Sequence, residues 1–305
     1  MILVTGASGL LGSNFLVVAQ RRGARLAAVS HRHSVRMPGV EAVRADLTDR
    51  RAVEDLCRAF RPRWIVHCAA LTDVDRCEEH PEEARRVNAE VPGHLAEAAR
   101  HVGAGLLYIS TDGVFDGTAG QYAEGDAPAP VNVYAETKLA GEDAVRGALE
   151  RHLIVRTNIY GWNLQEKLSL AEWILGRLET AQDVPGFRDA VFTPILVNDL
   201  SEVLLDMLDR GLIGVYHVAG SQALSKYEFA LALAEEFALS RDLVRPASLA
   251  GSTLRASRPP NTSLQTAKVS RALGRPMPDA TAGLRRFKAL RDAGFVKRLK
   301  ALGEG

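Results

Sequence analysis

The opening stretch, Met1-Ile-Leu-Val-Thr-Gly-Ala-Ser-Gly-Leu-Leu-Gly-Ser13, restricts the fold of this chain more than any other. Ile2 to Thr5 are apolar or β-branched, as a short buried strand requires. Gly6, Gly9 and Gly12 follow at three-residue intervals, and Leu11, Phe15, Leu16 and Val18 then recur at helical spacing. A strand, a glycine turn and a helix in that order begin a phosphate-binding βα unit. Glycine there lets backbone N–H groups close on a pyrophosphate at the positive end of the helix dipole. The expected cradle runs from Gly6 through Ser8, Gly9, Leu10 and Leu11 to Gly12, and its ligand would be a dinucleotide. Glycine turns also join strands to helices with no ligand present, so the pattern needs support from the rest of the chain.

At 305 residues the chain can bury a sizeable core as two domains or one large one. Lys plus Arg number 38 against 37 for Asp plus Glu, a net charge of +1 that points to neither a nucleic acid nor a membrane surface as partner. No apolar run reaches membrane-span length, and no signal peptide is read before the first strand. Cys57, Cys68 and Cys77 are odd in number and lack metal-ligand spacing. Cys68, in an apolar strand, reads as a reduced packing thiol, and no metal and a cytoplasmic location are expected.

Further strands are expected at Arg25–Ser30, Val40–Ala45, Arg63–Cys68, Gly105–Ser110, His152–Arg156 and Gly214–Ala219. Between them lie helical patterns over Asp49–Phe60 (capped by Thr48), about Pro81–Val102, Tyr134–Leu149, about Leu168–Leu178 and Asn198–Leu208. Ser225 with Glu228 reads as a capping box opening a helix over Lys226–Phe237. Past residue 240 strand signals fade and short helices follow. Strands alternating with helices argue for an α/β fold, a doubly wound parallel sheet with helices on both faces. The loop from Gly113 to Val131 is long for a compact domain, which suggests function or disorder.

Where an NAD-binding unit has an acid at the end of its second strand, this chain has Ser30-His31-Arg32-His33. A carboxylate would repel the extra phosphate of NADP, whereas Ser30 and Arg32 would bind it; the alternative is a solvated basic turn. NADP(H) is the expected cofactor, with NAD(H) left open. Ala69, Ala70 and Thr72 are small residues at a strand's carboxyl end, where a cofactor can cross the sheet. Asp46 and Leu47 close the third strand, and Asn88 sits midway along the Pro81–Val102 pattern.

Tyr134 and Lys138 stand at i and i+4, which places both on one helix face. An ammonium near a phenol favours the phenolate and should lower the Tyr134 pKa, making it a usable proton donor. Thr111, at the end of the fifth strand, can donate a hydrogen bond to a substrate oxygen or simply satisfy a turn.

Together, Gly6-x-x-Gly9-x-x-Gly12, Asp46-Leu47, Ala69-Ala70, Thr111 and Tyr134-x-x-x-Lys138 resemble an extended short-chain dehydrogenase/reductase. More narrowly, several strings are similar to the dTDP-4-dehydrorhamnose reductase family. These are Ala69–Asp75, Ser110–Phe115, Asn132–Tyr134, Thr137–Glu142 and Arg258-Pro259-x-Asn261-x-x-Leu264. Ser225-Lys226-Tyr227-Glu228 also resembles the related regulatory β subunit of methionine adenosyltransferase. The resemblance implies a Rossmann sheet over residues 1–160 with 189–220, and a smaller, mostly helical substrate domain over 161–188 with 221–305. It implies an oxidoreductase reducing a nucleotide-linked 4-keto-6-deoxy sugar, with Tyr134 as proton donor, Lys138 on the nicotinamide ribose and Thr111 polarising the carbonyl.

By the same resemblance Asp112, Asn158, Arg258 and Asn261 are candidate substrate contacts; Arg258 would meet a diphosphate, its alternative being a solvated loop arginine. A homodimer is compatible with it. The chain departs from the pattern at Gly113, where tyrosine is usual, and at Asn158-Ile159, where an aromatic is expected. A non-catalytic NADP-binding regulatory subunit therefore stays open, as does an epimerase or dehydratase of the same superfamily, for which Asp112 would serve.

Overall fold

The computed structural model describes residues 1–251 and 254–303. A seven-stranded parallel sheet runs through its centre, built from β1 (Ile2–Thr5), β2 (Leu26–Ser30), β3 (Glu41–Arg44), β4 (Trp64–His67), β5 (Gly105–Thr111), β6 (His152–Thr157) and β7 (Gly214–His217). The strand order β7-β6-β5-β4-β1-β2-β3 reverses between β1 and β4, and a ligand crevice opens at such a switch point.

Side chains of a strand alternate between its two faces, and here both faces are covered. Leu3, Ile65, Leu106 and Ile154 belong to one core; Val4, Val66, Leu107 and Val155 belong to the other. The helix α1 (Leu10–Arg21) covers the second face, whereas α2 (Arg50–Phe60) and α3 (Val91–Val102) cover the first. That two-sided burial explains why the central strands read as apolar runs rather than alternating ones.

Three expectations are corrected. The N-cap of α2 is Asp49, whose carboxylate accepts from Arg51 N–H; Thr48 instead gives both its N–H and its hydroxyl to Asp46. The single helix expected over Pro81–Val102 is three pieces: Pro81–Arg85, a π-helical turn over Arg86–Glu90, and α3. Pro92 has no N–H to give the Asn88 carbonyl one turn back, and that carbonyl accepts from Tyr108 Oη at 3.0 Å instead. Gly141 is required beside it, since a Cβ there would lie 2.3 Å from the same oxygen. Finally, strands persist beyond residue 240: Val244–Ala247 pairs in parallel with Val184–Phe187.

After β5 come α4 (Val133–Ala148), α5 (Leu170–Glu179), α6 (Val197–Asp209) and α7 (Lys226–Glu236). The box at Ser225 forms as expected, with Glu228 Oε2 accepting from Ser225 N–H at 2.7 Å and Ser225 Oγ accepting in return. A second box, Ser169 with Glu172, opens α5. The 113–131 loop is ordered and pinned: Phe115 stacks on Tyr122 at 4.1 Å, and Tyr122 exchanges backbone hydrogen bonds with Ser263 and Gln265. No helix among the described residues is long and apolar enough to cross a membrane.

Candidate functional site

The glycine turn fits a phosphate-bearing ligand. Gly6 adopts φ 63°, and a Cβ on it would stand 2.5 Å from the Ala69 nitrogen. At Gly12 a Cβ would lie 2.2 Å from the Gly6 carbonyl oxygen. Any larger residue at either position would break this packing. Gly9 caps α1 without a side-chain hydrogen bond. Leu10, Leu11 and Gly12 are the first helical residues and have no carbonyl one turn back to bond. Those amides, with the positive helix end, are donors suited to an anion. Ser8 is buried beside them.

Ala69 lies directly against Gly6, and Ala70 follows it in the chain. Asn88 holds the next residue from both sides: its Oδ1 accepts from Leu71 N–H at 2.9 Å and its Nδ2 donates to the Leu71 carbonyl at 3.0 Å. It thus fixes the lip that carries Thr72. At the far end of β2, Ser30 is buried and Arg32 exposed. Arg44, which sequence reasoning missed, pairs in register with Ser30 and donates to the His31 carbonyl at 2.8 Å. Only strand register, which no local pattern shows, could have found it. Asp46 is exposed and held below the usual carboxylate range, first by Thr48 N–H; Leu47 packs against the core.

β5 and α4 assemble Thr111, Tyr134 and Lys138. Thr111 caps the turn Asp112–Val114, its hydroxyl accepting from Gly113 N–H at 3.0 Å. The turn and α4 place that hydroxyl beside the Tyr134 phenol. The expected depression of the phenol by Lys138 is not found. Burial raises it, Asp112 and Cys77 add to the rise, and Thr111 opposes it. Lys138 is 2 % exposed and donates to the Ile109 carbonyl at 2.7 Å, with the Tyr108 ring 4.1 Å below its ammonium. Burial brings Lys138 down from 10.5 to about 7, against the pull of Glu142.

Glu142, one turn further along α4, is wholly buried and chelated. Arg156 from β6 donates to both carboxylate oxygens, at 3.0 and 2.8 Å, and Ser110 donates at 2.5 Å.

The candidate substrate residues fall into two groups. Asp112 is 3 % exposed, and accepts from Asn158 Nδ2 at 2.8 Å and Thr262 Oγ1 at 2.6 Å. Burial raises its carboxyl, and those hydrogen bonds oppose the rise. Arg258 donates to Asp75 at 3.0 Å, and its neighbour Ser257 accepts from Asn132, the N-cap of α4, which brings the Arg258 loop to the helix bearing Tyr134. Asn261 turns inward, accepting from Ser263 and filling the space left by Gly120.

Lys226 was missed: burial lowers its ammonium, Asp112 opposes and Arg258 reinforces that shift, so the three charges face one another. Its signal lay in the capping box, which placed it at the first position of α7. Gly113 is not imposed by sterics, since a Cβ there would meet only Thr111 Oγ1, at 3.3 Å, and looser contacts.

Comparison with known proteins gives a consistent picture. The family model described as RmlD substrate binding domain matches residues 1–291. The chain is 36% identical over 260 residues to dTDP-4-dehydrorhamnose reductase of Mycobacterium tuberculosis, covering 82% of this chain and 79% of that one. It is 35% identical over 278 residues to methionine adenosyltransferase 2 subunit beta of Pongo abelii, covering 88% and 81%. Among solved structures, dTDP-4-dehydrorhamnose reductase from Bacillus anthracis in complex with NADP superposes with a TM-score of 0.84 at 28% identity, covering 94% of this chain and 98% of that one.

Proposed function

The chain belongs to the RmlD substrate binding domain family, and on that premise we propose that it reduces the C4 keto group of a nucleotide-linked 4-keto-6-deoxy sugar with NADPH. The observation that carries the reading is the meeting of Thr111, Tyr134 and Lys138 at the strand end beside a turn that admits no side chain at Gly6 or Gly12. NADPH, when bound, supplies the hydride. Tyr134, kept neutral by burial, gives its proton to the alkoxide oxygen that develops on the sugar. Thr111 donates a hydrogen bond to the same oxygen, and donors already in place need no reorganisation as charge appears. Lys138 lies one helical turn from Tyr134 and holds the ribose.

In this reading Gly6, Ser8, Gly9, Leu10, Leu11, Gly12, Ala69, Ala70 and Thr72 line the cofactor's path, with Asn88 fixing its lip. Ser30 and Arg32 take the 2′-phosphate, flanked by Asp46 and Leu47. Residues 1–160 with 189–220 form the cofactor domain, and 161–188 with 221–305 the substrate domain. Arg258, with Lys226 beside it, answers the charge of a nucleotide diphosphate. Asp112 and Asn158, bonded to each other, border the sugar, and Asn261 supports the loop. The unpaired thiols Cys57, Cys68 and Cys77 suit the cytoplasm.

A second reading, a cofactor-binding subunit that regulates another enzyme, draws on Gly113 and on the similarity to the methionine adenosyltransferase subunit. One assay separates the two: purified protein with NADPH and dTDP-4-dehydrorhamnose, following NADPH consumption. Turnover is expected. NADPH binding without turnover, together with co-purification of a partner enzyme, would replace the reductase by the subunit.

The pH profile gives a further check. Lys138 loses its proton near pH 7, so kcat/KM should fall as pH rises through that value. Stability moves the other way. Because its folded pKa lies below the ordinary 10.5, the unfolded chain binds more protons between about 7 and 10.5, and the Lys138 contribution to stability rises with pH across that window. A kcat/KM plateau extending well above pH 8 would remove Lys138 from its role.

A further inference from the structure

Two lips frame the crevice: the glycine turn with Ser8, and the β4 end with Thr72. The segment Trp162–Ser169, between β6 and α5, touches both. Gln165 Nε2 donates to the Ser8 carbonyl and to Ser8 Oγ, each at 3.1 Å. Two residues on, Lys167 Nζ donates to Thr72 Oγ1 at 3.0 Å. These contacts span 157 and 95 residues of sequence, so the segment joins the two lips.

The bridge is held in shape. Asn163 is 6 % exposed; its Nδ2 donates to the Lys167 carbonyl at 2.6 Å and its Oδ1 accepts from Gln165 N–H at 3.2 Å. Glu172 accepts from the N–H groups of Asn163 and Ser169, both at 2.9 Å. From the C-terminal side Lys300 donates to the Gln165 carbonyl at 2.8 Å. The frame is thus pinned, while Lys167 ends in an exposed ammonium joined to a neutral hydroxyl.

We propose that Gln165 and Lys167 form a strap that closes over the bridging phosphates of the dinucleotide, Lys167 supplying the positive charge opposite the α1 amides. The strap rests on the cofactor reading above. A diphosphate lying across a switch-point crevice passes between these two lips. Backbone amides meet it from one side only; a cation on the other completes the cage. The Lys167–Thr72 contact, between exposed groups, is cheap to exchange for a phosphate oxygen, which makes a stronger, charge-assisted bond. Pinning by Asn163 and Glu172 means that little chain has to be ordered when the exchange occurs.

The test is binding rather than turnover. Titration calorimetry of NADP+ against wild type, Lys167→Ala and Gln165→Ala should show Kd rising about tenfold for Lys167→Ala, as loss of one charge-assisted contact implies, and less for Gln165→Ala. Adenosine 2′-monophosphate, which carries the 2′-phosphate and no bridging phosphates, should bind all three proteins equally. Unchanged NADP+ affinity in both variants, with wild type binding, overturns the strap alone. Equal weakening of the monophosphate overturns it too, by moving Lys167 to the adenosine end. Failure of wild type to bind NADP+ removes the cofactor reading itself.

Discussion

Replacing Tyr134 with Phe should lower kcat by about 10²–10⁴-fold, the range of a lost general acid, while leaving the Kd for NADP+ within about twofold. The ring stays, and only the hydroxyl beside Thr111 goes. Phe carries no ionisable group, so no change of pH restores the missing proton. The measurement is steady-state turnover beside calorimetric NADP+ binding on the same preparation. Full turnover in the variant would remove Tyr134 as donor. A parallel collapse of NADP+ affinity would make the hydroxyl part of the binding site instead.

The largest loss of stability is expected at Glu142. Its carboxylate has no exposure and is clasped by Arg156 and Ser110. Glu142→Gln leaves the Arg156 guanidinium, 2 % exposed and already with Nη1 unbonded, as an uncompensated buried charge. Breaking such a pair costs about 3–5 kcal/mol, a large share of a domain's stability. Exchanging both partners, Glu142→Gln with Arg156→Met, should recover most of that, because a buried ion pair gains little over neutral groups of similar volume. Urea denaturation of the two variants checks it. A double variant as unstable as the single one would show that the cost lies in packing rather than in the orphaned charge. The folded double variant also lacks the carboxylate that raises Lys138, so its alkaline limb should move to lower pH.

What the sequence revealed depended on how far apart the cooperating residues lie. Gly6, Gly9 and Gly12 fall within one strand–turn–helix and carry their meaning locally. Tyr134 and Lys138 are joined by helical periodicity alone. The Glu142 clasp escaped because Ser110 and Arg156 stand on two other elements, 32 and 14 residues away. The strap escaped likewise, since nothing near Lys167 points to Thr72. The broken helix at Asn88 was legible in principle, for Pro92 already forbade one backbone bond; what could not be read was that Tyr108 would take its place. Two-residue pairings such as Ile159–Tyr160 with Ile195–Leu196 are too short to leave any periodicity.

The bond from Thr262 to Asp112 spans 150 residues, and it ties the site to the timetable of synthesis. At ribosomal speeds of ~5–20 residues per second, roughly 8–30 s separate the appearance of these two residues. Through that interval the nascent sheet can close from β1 to β6 while the Asp112 carboxylate still waits for its hydroxyl. The central sheet is thus available for folding well before the last walls of the crevice exist.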